Sequence, residues 1–279
     1  MSGAGNDFVV LDGRSVDVSG LRQPERIAEL CREYKTDGLM ILLEGTGPSG
    51  GAADFRMEFY NPDGSGGMMC GNGGRCIVAF ADRLGIRPSA PDRYTFLAPD
   101  GLHTAEILSR PRSSCGTTST TATEVWTVKL EMIDVEGVSE VLGGYFLNTG
   151  TRHFVKFVDD VDAIDVEKEG KELRWNKAFA PEGANVNFVQ ILAGGTLKVR
   201  TFEKGVEGET LACGTGITAS AIAAYYAGRL PVTPASAKER TEVKLLARRG
   251  DMLKVDFVPS ETDPASFGSV HLTGPAEFC

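Results

Sequence analysis

The sequence predicts an α+β fold built from many short strands and few helices. Ten segments rich in Val, Ile, Leu and Phe are bounded by Gly, Pro, Asp or Asn, as strands are, whereas three segments have helical spacing. Strands and helices do not alternate along the chain, which argues against a doubly wound parallel sheet. One set of motifs occurs in each half of the chain and indicates two copies of one fold.

The predicted elements occupy the apolar runs of both halves. The predicted strands are Asp7–Leu11, Leu39–Leu43, Arg56–Tyr60, Val125–Leu130, Tyr145–Leu147, His153–Val158, Asn185–Leu192, Leu197–Phe202, Val243–Leu246 and Leu253–Val258. The predicted helices are Pro24–Tyr34, Asn72–Leu84 and Thr215–Ala227. The first has apolar residues at helical spacing, and the other two follow Gly-rich turns and end just before a glycine.

A polar stretch separates the two halves. Ser109–Thr123 is rich in Ser and Thr, so we predict an exposed loop at or near a domain boundary. We therefore assign residues 1–122 to an N-terminal half and residues 123–269 to a C-terminal half.

Each half contains an Asn-containing strand followed by a Cys-Gly-x-Gly turn and a helix. In the first half, the strand that begins at Asn6 precedes Cys70-Gly71-Asn72-Gly73. In the second half, the strand that begins at Asn185 precedes Cys213-Gly214-Thr215-Gly216. Units of this kind recur by chance in many proteins, but the shared order of parts favours a duplication.

Composition excludes several functional classes. The 279 residues include 29 basic and 38 acidic side chains, and the net charge of −9 argues against nucleic acid or an anionic membrane as the main partner. No apolar run approaches the roughly 18 residues of a membrane-spanning helix. The N-terminus does not resemble a signal peptide, so we expect a cytoplasmic protein. An anionic small substrate stays possible, because backbone donors can bind one locally.

The six cysteines are predicted to be thiols, because disulfides are rare in a reducing cytoplasm. They form no CxxC pair, and the chain has only three histidines, so we predict no metal site. The glycine-rich motifs match neither a phosphate-binding loop nor a dinucleotide fingerprint, and no feature requires a cofactor. Four cysteines are interpreted as small hydrophobic residues: Cys31, Cys76, Cys115 and Cys279.

Cys70 and Cys213 differ because each stands at the start of a predicted helix. Backbone N–H groups there have no intrahelical partner, and the helix dipole favours negative charge, so both effects lower a thiol pKa. The following glycines allow close approach to a carboxylate. Two such turns predict proton transfer at a carbon next to a carboxylate, in which a thiolate removes one proton and a thiol supplies another.

Four blocks together resemble the diaminopimelate epimerase family. They are Gly3-Ala4-Gly5-Asn6-Asp7-Phe8, Asn61-Pro62-Asp63-Gly64-Ser65, Cys70-Gly71-Asn72-Gly73-Gly74-Arg75-Cys76 and Gly208-Glu209-Thr210-Leu211-Ala212-Cys213-Gly214-Thr215-Gly216. The resemblance implies two pseudo-symmetric halves, each a small barrel-like sheet around a central helix, with the active site in the cleft between them. It also implies that residues 270–279 return to the first half.

The resemblance further implies a homodimer that uses no cofactor and converts LL-2,6-diaminopimelate to the meso form for lysine and peptidoglycan synthesis. Cys70 and Cys213 match the acid/base pair, and His153 and Glu203 match residues that assist them. The remaining matches bind substrate through amides or the backbone. These expected binding residues are Asn6, Asn61, Gly71, Asn72, Asn185, Lys204, Gly214 and Thr215.

Two departures from the family pattern bear on the choice of substrate. Lys204 stands where Arg is common, and lysine lacks the planar bidentate fork of arginine. Thr151-Arg152-His153 stands where Asn-Pro-His is common. Two alternatives therefore stay open: a two-cysteine racemase that acts on a different amino acid, and a ligand-binding protein without catalysis.

Overall fold

The computed structural model describes residues 1–46, 52–67, 70–111, 124–231 and 239–279. The chain divides into two compact units, the first comprising residues 1–130 and 274–279 and the second residues 131–273. Within the described residues, no helix is long and apolar enough to cross a membrane.

The strands of the first unit form a closed ladder. Its elements are β1 (Ser2–Gly3), β2 (Asn6–Asp12), α1 (Pro24–Tyr34), β3 (Gly38–Thr46), β4 (Ala52–Tyr60), α2 (Gly71–Arg83), β5 (Arg93–Ala98), β6 (Gly101–Ser109) and β7 (Val125–Glu131). Neighbouring strands pair in chain order, and the last strand of the protein pairs with both β7 and β1, which completes the barrel.

The second unit repeats this plan. Its elements are β8 (Val135–Glu136), β9 (Val138–Val141), β10 (Gly144–Asn148), β11 (Arg152–Phe157), α3 (Val166–Arg174), β12 (Asn185–Ile191), β13 (Leu197–Glu203), β14 (Gly208–Thr210), α4 (Gly214–Tyr226), β15 (Thr241–Leu246), β16 (Met252–Pro259) and β17 (Ser266–Glu277). β17 pairs with β16 and β8, while β9 pairs with β10, so this ladder also closes. Residues of β17 up to Thr273 belong to this unit, and those from Gly274 onward belong to the first.

Each barrel encloses one helix, α2 in the first unit and α4 in the second. We call these two the cysteine-led helices, because Cys70 and Cys213 stand immediately before them. Ten of the 13 residues of α2 and ten of the 13 residues of α4 are buried. α4 contacts strands on all sides, from β10 to β13 and from β15 to β16. A helix that is apolar around its whole circumference must be buried. The buried hydroxyls of Thr218 and Ser220 donate to the carbonyls of Gly214 and Gly216, which satisfies their hydrogen-bonding groups.

The other two helices connect parallel strands. α1 links β2 to β3, begins with Pro24 and ends at Lys35 in the left-handed conformation, and buries Ile27, Leu30 and Cys31 against β3. α3 links β11 to β12, is capped by Asp165, and packs in a core with Phe179 and Phe202.

All ten predicted strands and all three predicted helices are present, but several elements were not predicted. The missed elements are β1, β5, β6, β8, β9, β14 and α3, and β17 was expected only in part, as the segment 270–279 that the resemblance returns to the first half. Most of the predicted Ser109–Thr123 loop, residues 112–123, lies outside the described residues.

The duplication is confirmed, but the predicted pairing of its first strands is wrong. β2 leads through α1 to the parallel strand β3, and β11 leads through α3 to the parallel strand β12. The counterpart of β2 is therefore β11, which begins at Arg152, rather than the strand that begins at Asn185. The misassignment arose because an Asn-x-Asn-Phe sequence in β12 imitates the Asn-Asp-Phe sequence of β2.

Candidate active site

Cys70 caps the N-terminus of α2 with its sulfur. Its backbone is extended, and its Sγ accepts a hydrogen bond from the Gly73 backbone N–H at 3.2 Å. A Cβ on Gly73 would lie 3.2 Å from that sulfur and equally close to Met40, so glycine permits the close approach. The N–H groups of Gly71 and Asn72 precede the first intrahelical bond and can serve an anionic ligand.

Asn72 links α2 to the start of β2. Its Nδ2 donates to Asn6 Oδ1 at 2.5 Å, and its Oδ1 accepts from the guanidinium of Arg75 at 2.9 Å. Arg75 is fully buried and also donates to the carbonyls of Gly71 and Pro275. These bonds orient the Asn6 amide so that its Nδ2 is the group offered to a ligand. Arg75 was not among the predicted site residues.

Asn61 begins a tight turn in the same unit. Its Nδ2 donates to Ser65 Oγ at 3.0 Å, and its backbone exchanges hydrogen bonds with Ser65 and Gly64. Asp63 accepts from the Ser65 hydroxyl at 2.6 Å, which holds the turn. The Asn61 Oδ1 is thereby directed as an acceptor.

Cys213 occupies the N-cap position of α4 in the second unit, but its side chain makes no capping hydrogen bond and has a different neighbour. Its Sγ lies 3.4 Å from Thr215 Oγ1, and Thr215 Oγ1 lies 2.9 Å from His153 Nε2. The Ile217 N–H makes the first intrahelical bond, to the Cys213 carbonyl, so the N–H groups of Gly214 and Thr215 precede it. The structure thus brings His153, Thr215 and Cys213 together.

His153 is fully buried on β11 and neutral. Burial lowers the pKa of its imidazole to about 3, because the charged form would lose its hydration. Its Nδ1 lies 3.1 Å from the Asn187 amide, and its Nε2 lies 3.0 Å from Thr151 Oγ1. A neutral ring with both nitrogens engaged is suited to orienting its neighbours.

Asn185 joins three segments next to this histidine. Its Nδ2 donates both to Thr151 Oγ1 at 2.9 Å and to the Arg152 carbonyl at 3.0 Å. Its Oδ1 accepts from the Lys204 backbone N–H at 2.8 Å. Because both amide protons are engaged, Asn185 can offer a ligand the second lone pair of Oδ1.

Glu203 and Lys204 lie where β13 runs into the turn before β14. The turn is closed by the Glu207 N–H, which donates to the Glu203 carbonyl at 2.8 Å. Glu207 also accepts from the buried guanidinium of Arg174 at 3.2 Å. Glu203 is half-buried, and Lys204 is exposed.

The predictions for the other cysteines hold in part. Cys31 and Cys76 are buried, and desolvation raises the pKa of both thiols, that of Cys76 to about 12. Cys279 is exposed, contrary to the prediction, because it follows the end of β17 as the last residue. Cys115 lies outside the described residues. Over the described part of the chain, no group of three His, Cys, Asp or Glu could hold a metal ion.

Two further polar residues of this site were missed. Asn187 on β12 and Thr201 on β13 are buried and hydrogen-bonded to each other and, through Asn187, to His153. Asn187 belongs to the strand block that the sequence singled out, but a single Asn in a strand carries no signal of its own.

The fold of the chain is similar to that of several solved structures. The chain matches a phenazine biosynthesis protein of the PhzF family from Bacillus anthracis with a TM-score of 0.68 at 13% identity, covering 100% of this chain and 93% of that one. It matches a probable proline racemase from Agrobacterium radiobacter K84 with a TM-score of 0.57 at 17% identity, covering 86% and 74%. At these identities the similarity shows the fold alone.

Sequence similarity is more specific. The model of the family described as diaminopimelate epimerase matches residues 1–123 and 145–257. Diaminopimelate epimerase of Aquifex aeolicus is 37% identical over 281 residues, covering 97% of this chain and 93% of the relative. That of Chlorobaculum tepidum is 38% identical over 284 residues, covering 99% and 96%. The chain belongs to the diaminopimelate epimerase family.

Proposed function

We propose that the protein is an isomerase that inverts one α-carbon of LL-2,6-diaminopimelate and yields the meso form, in the synthesis of lysine and peptidoglycan precursors. The observation that carries this proposal is that Cys70 and Cys213 each occupy the N-cap position of a buried helix. Family membership over nearly the whole chain supports the same substrate.

Proton transfer follows from the chemistry of the two thiols. One cysteine, as a thiolate, takes the α-proton, and the electron pair of the broken C–H bond stays on carbon and spreads into the carboxylate. The other cysteine, as a thiol, then protonates the opposite face of that carbon. The N–H groups of Gly71, Asn72, Gly214 and Thr215 stabilise the developing charge on the carboxylate, because they are donors fixed in advance.

Amide and charged side chains account for binding of the substrate. Asn6 donates, and Asn61 and Asn185 accept, which suits carboxylate and ammonium groups respectively. Glu203 and Lys204 recognise the amino-acid end that does not react. His153 acts as a neutral positioning group beside Cys213, since its lowered pKa removes it from acid–base exchange near neutral pH.

We also propose that the two compact units are the two functional domains and that the protein is a cytoplasmic homodimer. Membership in the family supports the assembly and the compartment.

Chiral chromatography tests the proposed function. Purified, reduced protein is incubated with LL-diaminopimelate without added pyridoxal phosphate, and formation of the meso isomer is followed. Cys70→Ser and Cys213→Ser should each abolish conversion, and Cys76→Ser is the matched control at a buried thiol in the same helix as Cys70. A folded protein that racemises another amino acid but leaves diaminopimelate unchanged would instead support the alternative raised by Thr151 and Lys204.

A further inference from the structure

A chain of hydrogen bonds runs through the second unit and ends at the Cys213 sulfur. Thr201 Oγ1 lies 3.0 Å from Asn187 Oδ1, and Asn187 Nδ2 lies 3.1 Å from His153 Nδ1. His153 Nε2 lies 2.9 Å from Thr215 Oγ1, which lies 3.4 Å from Cys213 Sγ. Each residue of the chain except Thr215 is buried.

The orientation of the Asn187 amide is set by its other partners. Its Nδ2 lies 3.2 Å from the Phe154 carbonyl, which can only accept a hydrogen bond. The amide NH₂ must therefore face that carbonyl, and Oδ1 must face the Thr201 hydroxyl, which donates to it. The second N–H of Asn187 then donates to His153 Nδ1.

This orientation decides which nitrogen of His153 carries the proton. Nδ1 accepts a hydrogen bond, so the neutral ring carries its proton on Nε2. A protonated Nε2 donates and cannot accept from either hydroxyl beside it, Thr215 Oγ1 at 2.9 Å or Thr151 Oγ1 at 3.0 Å, so the hydroxyl proton of Thr215 is not taken up by the ring. It is directed instead toward the Cys213 sulfur. The lowered pKa of His153 keeps the ring neutral near neutral pH.

The packing around Asn187 indicates a site built for this bond pattern. A Cβ on Gly216, in the first turn of α4, would lie 2.3 Å from Asn187 Oδ1. The helix backbone therefore presses directly on the amide. Asn187 and Thr201 cannot exchange their bonds with water, because both are buried.

Charged side chains also lie on the strands that surround α4 and this chain of hydrogen bonds. Arg152 lies 3.5 Å from Glu182, and Arg200 forms a bidentate pair with Glu209. Besides His153, the ionisable side chains of these elements and of the turn after β13 are Tyr145, Arg152, Lys156, Lys198, Arg200, Glu203, Lys204, Glu207, Glu242, Lys244, Lys254 and Asp256.

We propose that Asn187 and Thr201 are positioning residues that hold His153 in the tautomer protonated on Nε2, so that the Thr215 hydroxyl donates to Cys213 and favours its thiolate before substrate binds. A hydrogen bond to the charged form of a group stabilises that form. The catalytic role of a resting Cys213 thiolate rests on the proposed function, whereas the hydrogen-bond pattern does not depend on it.

The first unit has a different arrangement at the equivalent position. Asn72 takes the place of Thr215, and its amide is bound to Asn6 and Arg75. Cys70 accepts its hydrogen bond from the Gly73 backbone. The two cysteines are therefore supported by different donors, and a change at Asn187 or Thr201 should alter Cys213 and leave Cys70 unaffected.

Nitrogen-15 NMR of histidine-labelled, full-length, reduced protein tests the tautomer directly. The chain has three histidines, and His153→Gln assigns the signal. We expect His153 to show a protonated Nε2 and an unprotonated Nδ1. The opposite pattern in the unsubstituted protein would overturn the proposal without any variant.

Alkylation of Cys213 by iodoacetamide, followed at several pH values by peptide mass spectrometry, tests the consequence. Asn187→Asp places a carboxylate at Nδ1, which favours the other tautomer and turns the Thr215 hydroxyl toward Nε2. In this variant we expect the pH midpoint for alkylation of Cys213 to rise by about one unit. This corresponds to a roughly tenfold smaller thiolate fraction at pH values below the midpoint. Thr201→Val should shift the midpoint in the same direction, and Thr201→Ser should restore it.

Thr218→Val is the matched control, because it also removes a buried hydroxyl of α4, one that donates to the Gly214 carbonyl instead. It should leave the Cys213 midpoint unchanged. If Asn187→Asp and Thr201→Val also leave the midpoint unchanged in folded protein, the proposal is wrong. Neither measurement uses substrate, so failure to epimerise diaminopimelate would sink the proposed function and leave this inference intact.

Discussion

Cys70 and Cys213 occupy the same place at the start of a buried helix, yet each sulfur has a different donor. Gly73 offers Cys70 a backbone N–H, whereas Thr215 offers Cys213 a side-chain hydroxyl. A side-chain donor can be removed without changing the backbone, whereas a backbone N–H is lost only with proline. At the scale of single residues, Cys213 is therefore the cysteine whose hydrogen-bond donor a side-chain substitution can change.

His153 should make the protein less stable as the pH falls. Its pKa is lowered to about 3 in the folded protein, so below about 6.5 the unfolded chain binds a proton that the folded chain does not. The free energy of unfolding should therefore decrease between pH 7 and pH 5, with this residue contributing roughly 2 kcal/mol. Denaturant titrations at both pH values measure the difference.

His153→Gln is the control for this pH dependence, since glutamine does not titrate. Between pH 7 and pH 5, the free energy of unfolding of the variant should decrease by roughly 2 kcal/mol less than that of the unsubstituted protein. Equal losses in the two proteins would show that His153 is accessible to protons in the folded state.

The cysteine-led helices are pressed against their neighbours at glycines. A Cβ on Gly216 would lie 2.3 Å from Asn187 Oδ1, and a Cβ on Gly3 would lie 2.7 Å from the Asn72 carbonyl. At the scale of elements, these contacts fix how far each helix N-terminus extends along its barrel axis. They thereby also fix the position of each sulfur.

Gly216→Ala should therefore disturb both stability and activity. The added methyl must displace Asn187 or the first turn of α4, and overpacking of this kind costs about 1–3 kcal/mol. Gly20→Ala is the matched control, because a Cβ there would meet nothing within 4 Å. Thermal unfolding and the epimerisation rate should change in the first variant only; equal changes in both would contradict the account.

The short strand that leads to Cys213 is anchored by a buried ion pair. Glu209 on β14 is 4% exposed at its side chain, accepts two hydrogen bonds from Arg200 at 2.7 and 2.8 Å, and lies 3.2 Å from Arg248. Removing one member leaves a poorly hydrated charge behind. This anchor makes β14 a fixed support for the turn that carries Cys213.

Glu209→Ala should lower the free energy of unfolding by about 3 kcal/mol, as expected when one partner of a buried pair is lost. Glu242→Ala, which removes an exposed pair with Lys254, should cost less than about 1 kcal/mol. Urea titrations compare the two variants. A Glu209→Ala protein as stable as Glu242→Ala would show that the pair is not an anchor.

At the scale of the whole molecule, the two units contain their helices and strands in the same order. Each unit places a strand, an outer helix and a parallel strand before the strands that flank the cysteine-led helix.

The parts of the fold that sequence could predict are those with regular patterns. Apolar runs marked ten strands, and Gly-rich turns marked the starts of α2 and α4, because only glycine permits those close contacts. α3 was missed because its buried face consists of Val166, Gly170 and Arg174, which is not an apolar stripe. Gly268, Gly274 and Pro275 interrupt the strand pattern of β17, so its C-terminal part was expected only from the resemblance.

The candidate site was predictable where a motif carried it and not where the contact was tertiary. The cysteines and their glycines stand in continuous blocks of sequence. Asn187 and Thr201 act through residues distant in the chain, and a lone polar residue in a strand does not reveal its partners. Arg75 lies within the Cys70–Cys76 block, but nothing in the motif shows that its side chain is buried and bound to Asn72.

Proton NMR in deuterated water tests the central claim most directly. Reduced protein is mixed with LL-diaminopimelate without added cofactor, and the α-proton signal is followed as the meso isomer forms. The account predicts loss of that signal with deuterium in the product, abolished by Cys70→Ala and by Cys213→Ala. A folded, reduced protein that forms the meso isomer without exchange, or that keeps its activity in either variant, would contradict the two-cysteine mechanism.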